Sequence, residues 1–169
     1  YVQSKAIVNS HQPGKIFDAP DNRLAIDRTH YIITPIDYQA SATDTVVHIT
    51  DTQAMHGSWL FTCGVKAAEY FTVSQPATTG QFDCDKLSFP LVIRPWKAGD
   101  IIMPLGMQGN KKVSDILVDA KVPLPAKASV CVVESAGEVI WVVGLRISEK
   151  FKITTATTRI FQLAAERLV

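Results

Sequence analysis

One stretch of this sequence keeps a full helical period, and nearly every other apolar residue sits in a short run between turn formers. That pattern restricts the chain to a sheet-rich fold, because such runs can span a strand but cannot bury one face of a long helix. The helical stretch is Lys111 to Ala120. Val113, Ile116, Leu117 and Ala120 form its apolar stripe, and Lys112, Asp115 and Asp119 share the wetter face. Asn110 is the expected N-cap, since its side-chain oxygen can accept an unpaired N–H of the first turn. Pro123 stops the helix by disfavouring helical geometry at Val122. A helical turn or two at Val2, Ala6 and Ile7 ends at Pro13-Gly14.

The short runs read as strands: Arg23 to Arg28, Tyr31 to Ile36, Thr45 to Thr50, Trp59 to Cys63 and Tyr70 to Val73. Pro20-Asp21-Asn22, Ala42-Thr43-Asp44 and His56-Gly57-Ser58 supply turns between them. Ser88 to Arg94 continues the series. Val130 to Glu134 and Val139 to Val143 form an expected hairpin through Ser135-Ala136-Gly137-Glu138, and Phe151 to Ile153 and Arg159 to Leu163 close it. The expected organisation is a β-rich connecting segment over residues 1–85, followed by an α+β layered domain over residues 86–169. Its expected core is Ile101, Leu105, Ile116, Leu117, Val132, Val142 and Ile160.

Several function classes lose support at once. No apolar run is long enough for a membrane helix. Cys63, Cys84 and Cys131 are odd in number, widely spaced and free of a CxxC. A disulfide framework or zinc site is not expected, and a reducing cytoplasm fits. His11, His30, His48 and His56 show no helical metal-pair spacing, so no metal is expected. The chain opens on Tyr1 rather than Met and is read as a fragment or a processed product.

Charge is uneven. Residues 1–85 hold five cations and nine acids, whereas residues 86–169 hold twelve cations and seven acids. A basic half suits a polyanion, although soluble domains also reach this imbalance without one. Gly106-Met107-Gln108-Gly109-Asn110-Lys111-Lys112 is the one loop shaped like an anion cradle. It lacks the spacing of a Walker A loop, but a glycine turn feeding a helix start can present free N–H groups beside two lysines. A plain tight turn with solvated lysines explains it equally well.

The motifs from residue 94 onward carry a more specific signal. They run Arg94-Pro95-Trp96-Lys97-Ala98-Gly99-Asp100, then Pro104-Leu105-Gly106-Met107-Gln108-Gly109-Asn110-Lys111-Lys112-Val113-Ser114-Asp115. Asp119-Ala120-Lys121-Val122-Pro123, Trp141-Val142-Val143-Gly144-Leu145-Arg146-Ile147 and Phe151-Lys152-Ile153-Thr154 follow. In order and spacing this resembles the C-terminal region of bacterial tRNA(Ile)-lysidine synthases, closely after about residue 83 and loosely before it. The resemblance implies a PheT/TilS-like C-terminal domain. It also implies a parent enzyme that uses ATP, with magnesium, to ligate lysine to C2 of the wobble cytidine of tRNA(Ile). The phosphate loop of that chemistry, SGGxDS, does not occur here, so no catalytic residue and no cofactor are assigned to this chain.

What the resemblance implies for this portion is tRNA binding on the acceptor-stem side. The implied tRNA-binding residues are Arg94, Lys97, Lys111, Lys112, Lys121, Lys127 and Arg146, acting on phosphates and 2′-hydroxyls. Arg146 has a structural alternative, an ion pair with Asp100 or Asp115. Trp96 and Trp141 can stack on a base, though packing is the commoner use of such residues. The competing reading is a protein-interaction module that packs on its own N-terminal catalytic domain or forms a homodimer. A stand-alone hydrolase has no supporting motif.

Overall fold

The computed structural model describes residues 14–20, 22–26, 31–35, 43–70 and 76–168. β1 (Ile16–Asp18), β2 (Asn22–Ile26) and β3 (Tyr31–Pro35) form a three-stranded antiparallel sheet in the order β1-β2-β3. Two larger sheets follow. Their strands are β4 (Thr45–Val47), β5 (Gln53–His56), β6 (Trp59–Ala67), β7 (Thr79–Asp83) and β8 (Leu91–Pro95). The chain continues through β9 (Ile101–Ile102), β10 (Lys111–Lys112), helix α1 (Val113–Asp119), the short helix α2 (Leu124–Lys127) and β11 (Cys131–Ser135). It ends with β12 (Glu138–Val142), β13 (Arg146–Ile147) and β14 (Arg159–Arg167).

One sheet has the order β13-β12-β11-β8-β4 and the other β5-β6-β14-β7, and the pairings are antiparallel. Their facing sides share a core that includes Phe61, Phe82, Leu91, Ile93, Val133, Trp141, Phe161 and Leu163. Trp141 meets Phe61 and Phe82 edge-on, each with ring centroids 6.4 Å apart. Helix α1 packs on the opposite side of the five-stranded sheet. There Val113, Ile116 and Leu117 bury against Ile102, Val132, Val139 and Val142, at roughly 1.5–3 kcal/mol for each large side chain removed from water.

Alternation sends Val132 to the helix side and Val133 to the inter-sheet core. Along the pairing of β11 with β12 the register shifts between Val133 and Glu134 of β11, which leaves Ile140 of β12 as an extra residue. One extra residue is thereby accommodated, so the consecutive Ile140 and Trp141 both face the inter-sheet core. The expected hairpin turn is present, with Ala136 at φ 48° and Gly137 at φ 84°. Both central residues take the left-handed conformation that two-residue hairpins require.

The layered, sheet-rich class with one well-formed helix is the architecture expected. Several details differ. Both large sheets combine strands from either side of residue 85, so the expected division there runs through a shared core. Ile101 and Leu105, assigned to the core, are each 49% exposed. The helix starts at Val113 because Lys111 and Lys112 instead pair with Ile102 and Ile101 as a two-stranded ribbon. The N-cap position therefore falls to Lys112, which makes no side-chain capping bond. Phe151 ends a 3₁₀ turn, not a strand, because the Ser148 hydroxyl accepts from the Lys150 N–H at 3.3 Å. The strand expected over Tyr70 to Val73 and the turns at Val2, Ala6 and Ile7 lie largely or wholly outside the described residues.

Candidate nucleic-acid interface

The cations nominated from sequence divide into those the fold uses internally and those it leaves at the surface. Arg94 belongs to the first group. It follows Leu91-Val92-Ile93 in β8 and is 7% exposed. Its guanidinium donates to both carboxylate oxygens of Asp100 at 2.9 Å and to Glu134 at 2.7 Å. The Lys97 N–H adds a 2.8 Å bond to Asp100. Burial opposes the charge on Asp100, but the Arg94 guanidinium and the Lys97 N–H outweigh it and hold the carboxyl below its usual range. The hydrogen bonds to Asp100 likewise raise Arg94 further above its ordinary value. Arg94 is thus a structural ion-pair residue. It occupies the place by Asp100 that sequence reasoning had offered to Arg146.

Arg146 is exposed on β13, where its guanidinium donates to the neighbouring Leu145 carbonyl at 3.1 Å. It lines a groove with Lys111, Ile116, Asp119 and Ala120, so the fold brings Lys111 and Arg146 together. Lys111 is not free there, since its ammonium is ion-paired with Asp119. Lys112 is exposed, and strand geometry turns its side chain to the face opposite Lys111. The two lysines therefore do not stand side by side at a helix start.

The anion-cradle expectation for the glycine loop is also answered by its hydrogen bonds. The Gly106 N–H donates to Glu149 at 2.8 Å, the Leu105 N–H to the Ile147 carbonyl at 2.9 Å and the Met107 N–H to the Pro104 carbonyl at 2.9 Å. A carboxylate of the chain itself already holds the N–H that a phosphate would need. The Gly106 N–H, followed by the Lys152 ammonium, holds the Glu149 carboxyl below its ordinary value. The loop is a turn locked to β13 and the following 3₁₀ segment.

Beyond the helix, Lys121 is exposed with φ 53°. Its N–H donates to the Val118 carbonyl and the Val122 N–H to the Leu117 carbonyl, both at 3.0 Å. This closure of a helix end usually employs glycine, because a side chain in the left-handed region costs about 1–2 kcal/mol. Lys127 ends α2 half-buried, and its carbonyl accepts the Trp96 indole N–H at 2.7 Å. Trp96 thereby links α2 to the turn that carries the exposed Lys97. Trp96 and the fully buried Trp141 both serve in packing.

Among the described residues no cluster of His, Cys, Asp and Glu is arranged to hold a metal, and no helix is long and apolar enough to cross a membrane. The three cysteines are buried and free. Burial pushes the Cys131 thiol up to about 12, the wrong direction for a nucleophile.

Residues 91–163 match the family model described as the TilS substrate C-terminal domain. The match covers less than half of the chain. A tRNA(Ile)-lysidine synthase of Parabacteroides distasonis is 30% identical over 154 residues, covering 88% of this chain and 34% of that protein. The enzyme of the same name from Bacteroides thetaiotaomicron is 31% identical over 94% of this chain and 35% of its own length. The chain thus spans about a third of the length of these relatives. That from Geobacter sulfurreducens is 40% identical over 80 residues, or 47% of this chain and 17% of its own. A crystal structure of a TILS C-terminal domain superposes with a TM-score of 0.60 at 22% identity, over 73% of this chain and 91% of that one. Within the matched residues, Lys97, Lys112, Lys121 and Arg146 are exposed, Lys127 is half-buried, Lys111 is ion-paired and Arg94 is internal.

Proposed function

We propose that this chain is a tRNA-binding portion of a tRNA(Ile)-lysidine synthase and engages the acceptor-stem side of its substrate. The ATP- and magnesium-dependent ligation of lysine belongs to a catalytic domain outside these residues. The observation that carries the reading is the similarity to enzymes of that name over most of the chain. The position of Lys121 supports it. A lysine is kept at φ 53°, where glycine would be cheaper for the fold, which suggests that its charge has a use beyond the helix end.

The contacts fall to Lys97, Lys112, Lys121, Lys127 and Arg146, with Lys111 joining once RNA competes with Asp119. They act as charge-assisted donors to phosphates and 2′-hydroxyls, so binding reads duplex shape rather than sequence. Arg94 is excluded because its donors are spent on Asp100 and Glu134. In full-length enzyme, Lys111→Glu with Lys112→Glu should weaken tRNA affinity while leaving ATP use unchanged. Unaltered affinity would remove both lysines from the site. The competing interaction module, packing on the catalytic domain or on a second copy, would show instead as a tight dimer without tRNA affinity in light scattering.

A further inference from the structure

A second concavity adjoins the groove beside Lys111 and shares Pro104, Met107, Leu145 and Arg146 with it. It has a volume of about 630 Å³, inside the range of about 300–1,000 Å³ usual for small-molecule sites. Pro104, Leu105, Met107, Leu145 and Ile147 give it apolar walls, and Thr79, Gln81, Arg146 and Lys152 give it polar edges. Leu105 and Met107 leave 49% and 46% of their surface in water. Trp141, fully buried, lies beneath its floor.

The two cations here are not equivalent. Lys152 is ion-paired with Glu149, whereas Arg146 shows only the bond to its neighbour's carbonyl. The cavity therefore offers apolar walls and a guanidinium without a carboxylate partner among the described residues. A ligand that matches both has a flat body with apolar faces and an anionic end. Duplex RNA cannot enter such a space, but an unstacked nucleotide can.

We propose that this cavity receives an unpaired nucleotide of the bound RNA, with its base between Leu105, Met107 and Leu145 and its phosphate on Arg146. The proposal rests on the tRNA-binding reading but adds a site for a single-stranded residue to a surface otherwise suited to duplex. A free nucleoside monophosphate has the same chemistry, and the test separates the two sources.

The complete chain, labelled with ¹⁵N, is titrated with nucleoside 5′-monophosphates, with the matching nucleosides and with a single-stranded RNA trinucleotide. The indole N–H signals of Trp141 and Trp96 are followed, and tRNA binding is measured on the same samples. The trinucleotide should shift the Trp141 signal and leave Trp96, already bonded to Lys127, in place. Arg146→Gln should lower trinucleotide affinity by about tenfold, as expected for a lost charge-assisted bond. Leu105→Asp should abolish the shift while an unmoved Trp96 signal reports an intact fold. A still Trp141 signal under trinucleotide, with tRNA still bound, overturns the cavity and spares the tRNA reading. Tighter binding of a monophosphate than of the trinucleotide overturns the strand as source. Absence of any tRNA binding at low salt overturns both.

Discussion

Replacing Arg94 with leucine separates a structural cation from an RNA-binding one. Three charge-assisted bonds leave with the guanidinium, two to Asp100 and one to Glu134. At about 1.5–3 kcal/mol each they sum to more than the site can return, because burying the ions costs several kcal/mol. Breaking such a pair by removing one partner typically costs about 3–5 kcal/mol, since the other charge stays buried. Asp100 would keep the Lys97 N–H as its remaining described donor. The loss should depend on pH with a definite sign. The folded Asp100 carboxyl sits below its unfolded value of about 3.9. Its stabilisation is therefore complete above that value and fades as pH falls through the lower folded one. The gap between wild type and Arg94→Leu in urea-melt stability should be about 3–5 kcal/mol at pH 7 and narrow below about pH 4. A gap under about 1 kcal/mol at pH 7, or lost tRNA affinity in a variant of unchanged stability, would refute the structural assignment.

Other variants probe the exposed surface. Lys121→Gly should raise stability by up to about 1 kcal/mol, because it relieves the left-handed backbone, while lowering tRNA affinity; chemical denaturation and filter binding read the two effects. Asp119→Asn releases Lys111 and removes a negative charge from the groove, so tRNA affinity should rise about two- to fivefold at low salt and converge with wild type at high salt.

How legible this molecule was depended on whether local chemistry or long-range pairing fixed each element. The hairpin of β11 and β12 carries its own instruction in Ala136-Gly137, and the stripe Val113, Ile116 and Leu117 names the buried face of α1. By contrast, Thr79-Gly80-Gln81-Phe82-Asp83 shows little apolar alternation, yet pairing with the distant β14 buries most of it. Lys111 and Lys112 have good helical neighbours, but Ile101 and Ile102 offer backbone partners and draw them into a ribbon. Ile101 and Leu105 are as apolar as any core residue, and sequence could not show that the fold leaves about half of each in water. Arg94 did leave a signal. A cation at the end of Leu91-Val92-Ile93 required a buried acid, and Asp100 stands across the Gly99 turn. The cavity beside Arg146 is assembled from five separate segments, so no local pattern announced it.

The proposed grip of surface cations on the tRNA backbone is read from the salt dependence of binding. Each neutralised phosphate contributes a slope of about −0.7 to −0.9 in log affinity against log salt. With Lys97, Lys112, Lys121, Lys127 and Arg146 engaged, the purified chain should show a slope of about −3.5 to −4.5, and Lys112→Gln with Arg146→Gln should flatten it by about 1.4–1.8. A slope near zero, or one the double variant leaves unchanged, would contradict the account.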